Sequence, residues 1–425
     1  MERYFSKEEY LAEVKSRSQL PEGFKTGSSK LFFTPKEKKT GSPYPMKISA
    51  VTLDRPTKAF AGVFTRNKFP GTPVIIGKEM LEKEYCRGIF CNNKIANVCA
   101  PQGMENSLKI LDSYAALAGG AASDYFCAST GIIGWELPAG DICEAIPGLF
   151  SSMQSSSLFP LAEAIMTTDN FPKVRRNKSA DFTIIGTAKG AGMIEPNMAT
   201  MFAFILTDAD IPRTLLREIL PEAVNLTFNR ISIDSDQSTS DMTLCLSSSK
   251  FKTDTGLFKD SLYKICKSLA EDIVRNGEGT AHVIKLKING AANDNEALSA
   301  GKSVINSPLV KTAIYGNDPN VGRIVMAIGD WAGNSNIALD PGKVKICIGN
   351  ECVFENGVFS LNPDKEAILV EYLKKTGFGP RSIGYPEHDF TVDIFIDLGM
   401  GGGNAEVIGS DLSYEYVREN AEYTS

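Results

Sequence analysis

Histidine is nearly missing from this chain of 425 residues: only His282 and His388 occur, so a histidine-based mechanism has two candidates. His282 opens the alternating run HVIKLKING, where one face is expected to be buried, and His388 lies in the turn-like GYPEHDF. Both read as structural or surface residues. If the chain is an enzyme, its proton transfers fall to carboxylates, lysines or an amino group. A CxxC pair is lacking too. The nine cysteines are odd in number, and Cys86, Cys91 and Cys99 are irregularly spaced, which speaks against a disulfide framework and a zinc site and for reduced thiols in a cytoplasmic protein. Positive charge is not in excess: a formal net charge of -6 leaves no basic footprint for phosphate backbones, so nucleic acid is not an expected partner and small molecules are. Apolar runs of about 18 residues do not occur, and the amino-terminal MERYFSKEEYLAEVKS alternates charged with apolar residues. Neither membrane insertion nor secretion is expected. Internal repeats and low-complexity linkers are likewise missing, which favours one composite body over separate domains.

What the chain does contain is an ordinary globular composition, 43% apolar and 23% charged, at a length that allows a large α/β body. Strand-like and helix-like runs alternate. AVTLDRP, AGVFTRN and PVIIGK read as strands, followed by the helix SLKILDSYAALAG. DFTIIGTAKG reads as a strand, and Met201 to Leu206 as a buried central strand ended by Thr207, Asp208 and Ala209. PRTLLREILPEAVNLTFNRI and DSLYKICKSLAEDIVRN read as helices, VKICIGNECVFENGVF as a hairpin and FTVDIFIDLGM as a strand. The expected class is α/β, with mixed sheets flanked by helices. The late GMGGGN lacks the G-x-G-x-x-G spacing of a phosphate loop and reads as an irregular strand end.

The segment richest in chemistry is TAKGAGMIEPNMATMFAFILTDA, residues 187–209. Glycines and alanines crowd around Lys189, Pro196 and Asn197 set a turn, and Thr200 opens the apolar strand. A hydroxyl at such a loop-to-strand junction is placed to relieve strain at the Ala199–Thr200 peptide by attacking its carbonyl in an N-to-O acyl shift. Hydrolysis of the ester frees Thr200 as a chain terminus. Its α-amino group, with an ordinary pKa of about 7.7 to 8.0, then serves as base for its own hydroxyl, which removes the need for histidine. The bland alternative is that the turn is only a turn and that Thr200 is there for β propensity.

KGAGMIEPNMATM resembles the self-cleavage signature of the ornithine acetyltransferase family, KG-small-GMI-x-PNMATM, at every fixed position. The resemblance runs nearly end to end. GFKTGSSKLFF and RPTKAFAGVFTRN are similar to the family's opening strands, and STGIIGWELP to its STG-x-IG-x-x-LP loop, whose Thr-Gly pair forms the oxyanion hole and maps onto Thr130 and Gly131. AIMTTDNFPK resembles the MTTD segment, in which a threonine contacts substrate: Thr168, with Thr167 as the alternate. The closing SDLSYEYVRENAEYTS maps substrate-binding roles onto Asn420 and Ser425. By the same resemblance Lys189 neutralises a substrate carboxylate and Glu278, in a GEG turn, pairs with a cationic amine. The implied fold is a layered sandwich of the ornithine acetyltransferase and aminopeptidase type, cut into an α chain of residues 1–199 and a β chain of residues 200–425. Two copies of each form the implied heterotetramer. The implied activity is transfer of acetyl from N2-acetylornithine to glutamate through an acetyl ester on Thr200, with acetyl-CoA left open as a second donor and no metal or bound cofactor required.

The chain departs from the family at three places. NNKIANVCAPQG stands where the family has roughly NSGNANACTGEQG, so that Lys94, Ile95, Ala100 and Pro101 are new; Val321 replaces a tryptophan in GNDPNVGR; and Ile408 and Ser410 replace tryptophan and cysteine in VIGSDLSY. Two other functions stay open on the residues alone. A self-processed amidase or aminopeptidase passes the acyl group to water instead of an amine. A non-catalytic descendant, suggested by the altered loop, binds an amino acid without turning it over.

Overall fold

The structure, a computed structural model, describes residues 3–38, 41–195, 201–379 and 384–422. Ala199, Thr200 and Ser425, and the Pro196–Asn197 turn with them, lie outside the described residues. The chain divides into two compact units. The larger takes Leu11–Asn229 and Gln237–Ile273, and the other takes the residues up to Tyr10, Arg230–Asp236 and the chain from Val274 on.

Among the described residues the larger unit holds a five-stranded sheet in the order Phe60–Phe64, Met242–Lys252, Phe202–Asp210, Thr183–Lys189 and Lys173–Lys178. The central strand, Phe202–Asp210, runs parallel to Met242–Lys252 and antiparallel to Thr183–Lys189. All of it except Asp210 is buried, as expected of an apolar run covered on both faces. It does not end at Thr207. The Thr207 hydroxyl donates to the Thr183 carbonyl at 2.8 Å and Asp208 Oδ1 accepts from the Thr183 N–H at 2.6 Å, so these polar residues are paired inside the sheet and the ladder continues past them. A four-stranded sheet, Phe24–Phe33, Tyr44–Thr57, Cys86–Asn92 and Tyr125–Ser129, shares a core with helices Gly103–Ala118 and Ala139–Ser151 through Ile48, Phe90, Ile110, Tyr114, Tyr125 and Ile142.

The expected strand PVIIGK is instead the helix Thr72–Met80. Its β-branched residues suggest a strand, but Pro73 in the first turn is already at helical φ, and Pro73, Val74, Ile76, Gly77 and Met80 are buried at helical spacing. The helix expected through Ile231 ends at Leu226, where Thr227 leaves helical geometry; Ile231–Ser232 is a strand.

The other unit is built on a mixed seven-stranded sheet in the order Val358–Phe359, Glu351–Glu355, Lys345–Ile348, Val392–Asp397, Val283–Ala291, Gly403–Ser410 and Ile231–Ser232. Ile284, Leu286, Ile394 and Val407 form its core with Val304 of helix Asp294–Asn306 and Ile328 of helix Val321–Asn334. The fold is thus mixed α/β, with mixed sheets flanked by helices. Among the described residues no helix is long and apolar enough to cross a membrane.

Candidate active site

In the larger unit the chemistry-bearing residues converge at the end of strand Thr183–Lys189. Its last residue, Lys189, pairs in register with Phe202, two positions beyond Thr200, and its ammonium lies 6.0 Å from the centre of the Phe202 ring. Lys189 Nζ donates to Thr130 Oγ1 at 3.0 Å. An ammonium only donates, so this bond occupies a lone pair of the threonine and leaves the hydroxyl hydrogen to be given elsewhere. The Thr130 N–H is committed to the Asn92 carbonyl at 3.2 Å. An oxyanion at this point would therefore draw on the Thr130 hydroxyl and the Gly131 N–H. Gly131 has φ +131, and a Cβ there would overlap the Lys94 carbonyl, so only glycine fits.

The altered loop 92–103 packs directly against this pair: the Ile132 N–H donates to the Lys94 carbonyl and the Ala96 N–H to the Ile132 carbonyl, each at 2.9 Å. Asparagines hold the loop. Asn92 Nδ2 donates to the Ile95 carbonyl at 2.9 Å while its Oδ1 accepts from Ser129 Oγ at 2.6 Å; Asn93 Nδ2 reaches the Met166 carbonyl at 3.0 Å; Asn97 Nδ2 donates to Gly103 and Ser107. Lys94, Asn97, Cys99 and Gln102 all have positive φ.

Asp169, which the sequence reading passed over beside the half-buried Thr167 and Thr168, is the hub of the region. Its fully buried carboxylate accepts from Lys173 Nζ at 2.5 Å and from the Gly190 N–H at 2.9 Å through Oδ1, and from the Thr167 N–H at 3.1 Å through Oδ2. It thereby ties the TTD segment to the residue after Lys189. Burial pushes this carboxyl upward, but Lys173, Lys189 and the Gly190 N–H outweigh it and hold it at about 2. Burial pushes Lys173 down from the usual lysine range, against the pull of its carboxylate. With its pKa so far below neutrality, Asp169 is a carboxylate at pH 7. The only trace of the pair in the sequence was two opposite charges four positions apart in a largely apolar stretch.

Glu278 and Asn420, read from distant parts of the chain, meet in the other unit, where Asn420 Nδ2 donates to Glu278 Oε2 at 2.9 Å. The turn carrying Glu278 is clamped by the C-terminal helix Tyr414–Ala421: Ser413 Oγ donates to the Gly279 carbonyl at 2.6 Å and accepts from the Tyr416 N–H. Gly279 has φ +63, and a side chain there would strike the Tyr416 backbone. Both histidines are buried and structural. His282 spans Asp411 Oδ2 at 2.8 Å and the Leu373 carbonyl at 3.1 Å, while His388 lies between the rings of Phe378 and Phe390. Among the described residues no cluster of three or more acidic, cysteine or histidine side chains could hold a metal ion.

Comparison with known proteins agrees with the motifs. The model of the ArgJ family matches residues 39–425. Arginine biosynthesis bifunctional protein ArgJ 2 of Clostridium acetobutylicum is 38% identical over 367 residues, covering 86% of this chain and 90% of its own, and the ArgJ protein of Syntrophotalea carbinolica is 36% identical over 85% of this chain and 91% of its own. The crystal structure of the Bacillus halodurans ArgJ protein is 34% identical over 52% of this chain and 98% of its own, with a TM-score of 0.45. A family model and relatives that each span most of the chain leave one assignment: the chain belongs to the ArgJ family and is an acetyltransferase of arginine biosynthesis.

Proposed function

We propose that the chain cuts its own Ala199–Thr200 peptide and then uses Thr200 as an N-terminal nucleophile to move acetyl from N2-acetylornithine to glutamate. The observation that carries this reading is the Lys189–Thr130 hydrogen bond beside Phe202, which leaves the Thr130 hydroxyl and Gly131 N–H as donors near the strand that follows Thr200. The α-amino group of Thr200 takes the proton of its own hydroxyl, and the oxygen attacks the acetyl carbonyl. Thr130 and Gly131 stabilise the oxyanion. Collapse expels the amine of ornithine, which takes the proton held by the Thr200 α-amino group. The amine of glutamate then attacks the acetyl ester and gives its proton to that α-amino group, and collapse returns the proton to the departing Thr200 oxygen. Lys189 offers its charge to a substrate carboxylate, while Glu278, with Asn420, offers a carboxylate to the ornithine side-chain ammonium. Thr168 and Ser425 complete the substrate contacts, and two copies of each fragment make the assembly; light scattering that returned the mass of a single chain would overturn that last element.

Mass spectrometry of the purified protein tests the core of the proposal. Fragments ending at Ala199 and beginning at Thr200 are expected, and Thr200→Ala is expected to stay whole and to lose transfer. Full transfer by an uncut chain, or cleavage of Thr200→Ala at the same bond, would end it.

A further inference from the structure

We propose that Cys347 and Cys352 are an oxidisable dithiol that closes to a disulfide across the hairpin 345–355 by exchange with a small-molecule disulfide. The two residues oppose each other in the antiparallel pair of strands Lys345–Ile348 and Glu351–Glu355. Gly349, at φ +55, is the first central residue of the two-residue turn between Ile348 and Glu351. Residues flanking such a turn exchange backbone hydrogen bonds, which makes the next pair outward the non-hydrogen-bonded one, with opposed Cα atoms about 4.5 Å apart. A disulfide needs about 4.4 to 6.8 Å, so closure asks for little backbone movement. Ile346, Ile348 and Val353 point into the core, and the register shift beyond Cys347 leaves Val353 as the extra residue of a bulge. Both sulfurs are therefore on the outer face, half-buried and within reach of a small reagent.

Their surroundings separate these two thiols from the fully buried ones. Burial pushes Cys86, Cys91, Cys127 and Cys245 up to about 12, which keeps them protonated and inert. Cys347 is raised less steeply, by partial burial and then by its hydrogen bond to Cys352. In the exchange one cysteine of the pair, as its thiolate, attacks one sulfur of glutathione disulfide and releases one glutathione thiolate. The other cysteine gives up its proton to that thiolate and attacks the first cysteine's sulfur, and the second glutathione departs. Two protein thiols have then lost two electrons and two protons, and one glutathione disulfide has become two glutathione thiols. The ring closes only residues 347–352 and removes little entropy from the unfolded chain, so the bond is expected to yield again to a reducing thiol.

The test incubates the native full-length protein with glutathione disulfide, alkylates it after denaturation and maps every cysteine by mass spectrometry. The expected result is loss of both alkylatable thiols of the 347–352 peptide, with a mass decrease of two hydrogens, no glutathione on that peptide, and reversal by dithiothreitol. Cys347→Ser is expected to stop at a glutathione adduct on Cys352. The exposed Cys99 serves as the control for a lone accessible thiol. A stable adduct on Cys352 in the unmutated chain, or both thiols alkylated while Cys99 carries glutathione, would overturn the proposal, as would failure of every cysteine to react.

Discussion

Lys94 holds a conformation that its side chain disfavours. At φ +71 it lies in the left-handed region, and its carbonyl is fixed by the Ile132 N–H against the Thr130–Gly131 segment. The left-handed cost for a residue with a Cβ is about 1 to 2 kcal/mol, and the extra freedom of glycine in the unfolded chain takes back about 0.5 to 1 kcal/mol. Lys94→Gly is therefore expected to stabilise the protein by roughly 0.5 to 1 kcal/mol in urea denaturation, and an unchanged or lower midpoint would contradict the strain. Asp169 is the opposite case, a side chain whose removal breaks a buried ion pair. Asp169→Asn takes from the buried Lys173 ammonium the carboxylate it is hydrogen-bonded to, with an expected cost of about 3 to 5 kcal/mol at pH 7. The folded pKa of Asp169 is depressed, so its contribution is whole above the unfolded value of about 4 and is lost as pH falls from there toward about 2. Denaturation midpoints followed through Trp135, in the same unit, should fall over that window in the unmodified protein and be flatter there in Asp169→Asn. Neither the strain at Lys94 nor the burial of Asp169 can be read from the sequence, because φ and burial belong to the folded chain.

At the scale of elements, the C-terminal helix Tyr414–Ala421 holds the Glu278 turn rather than merely ending the chain. Glu278→Gln keeps the hydrogen bond from Asn420 and the turn but removes the charge. Loss of a charge-assisted hydrogen bond to an ammonium is worth about 1.5 to 3 kcal/mol, or roughly ten- to a hundredfold in rate. Self-cleavage should persist in that variant, while transfer from acetylornithine should fall far more than transfer from an acetylated amino acid without a side-chain cation. Equal losses on the two donors would withdraw the ornithine pocket. Elements themselves were legible where a period was sustained, as in helices Gly103–Ala118 and Thr255–Arg275 and the strand Phe202–Asp210. The short PVIIGK was not legible. Six residues carry about as much strand as helix pattern, and the packing of Val74, Ile76 and Met80 decides between them.

For the whole molecule, each unit carries one tryptophan, Trp135 in the larger and Trp331 in the other, so their stabilities are separable by fluorescence. His388 makes the second unit sensitive to acid. Burial lowers its pKa, with Arg275 adding to the effect; its Nδ1 accepts from the Phe390 N–H at 3.0 Å while Nε2 donates to the Gly377 carbonyl at 2.9 Å, an arrangement that requires the neutral ring. A histidine with a depressed folded pKa supports stability above its unfolded value, about 6.5, and that support is lost as pH falls below it. In a Trp135→Phe background, the Trp331 midpoint should drop as pH falls below about 6.5, and His388→Gln should be less stable at pH 7 but flatter across that range. An unmodified protein with no decline there would refute the assignment.

The sequence by itself determined the family and the α/β class, because contiguous motifs and sustained periods are properties of the chain alone. The same motifs named Thr130, Lys189, Glu278 and Asn420, but as separate points. Only the tertiary structure decided that Lys189 bonds to Thr130, that Asn420 bonds to Glu278, and that a buried Asp169–Lys173 pair stands behind the TTD segment. Hydrogen bonds between residues 59 and 142 positions apart depend on how strands and helices pack, and a buried ion pair is favourable only where the fold has already excluded water.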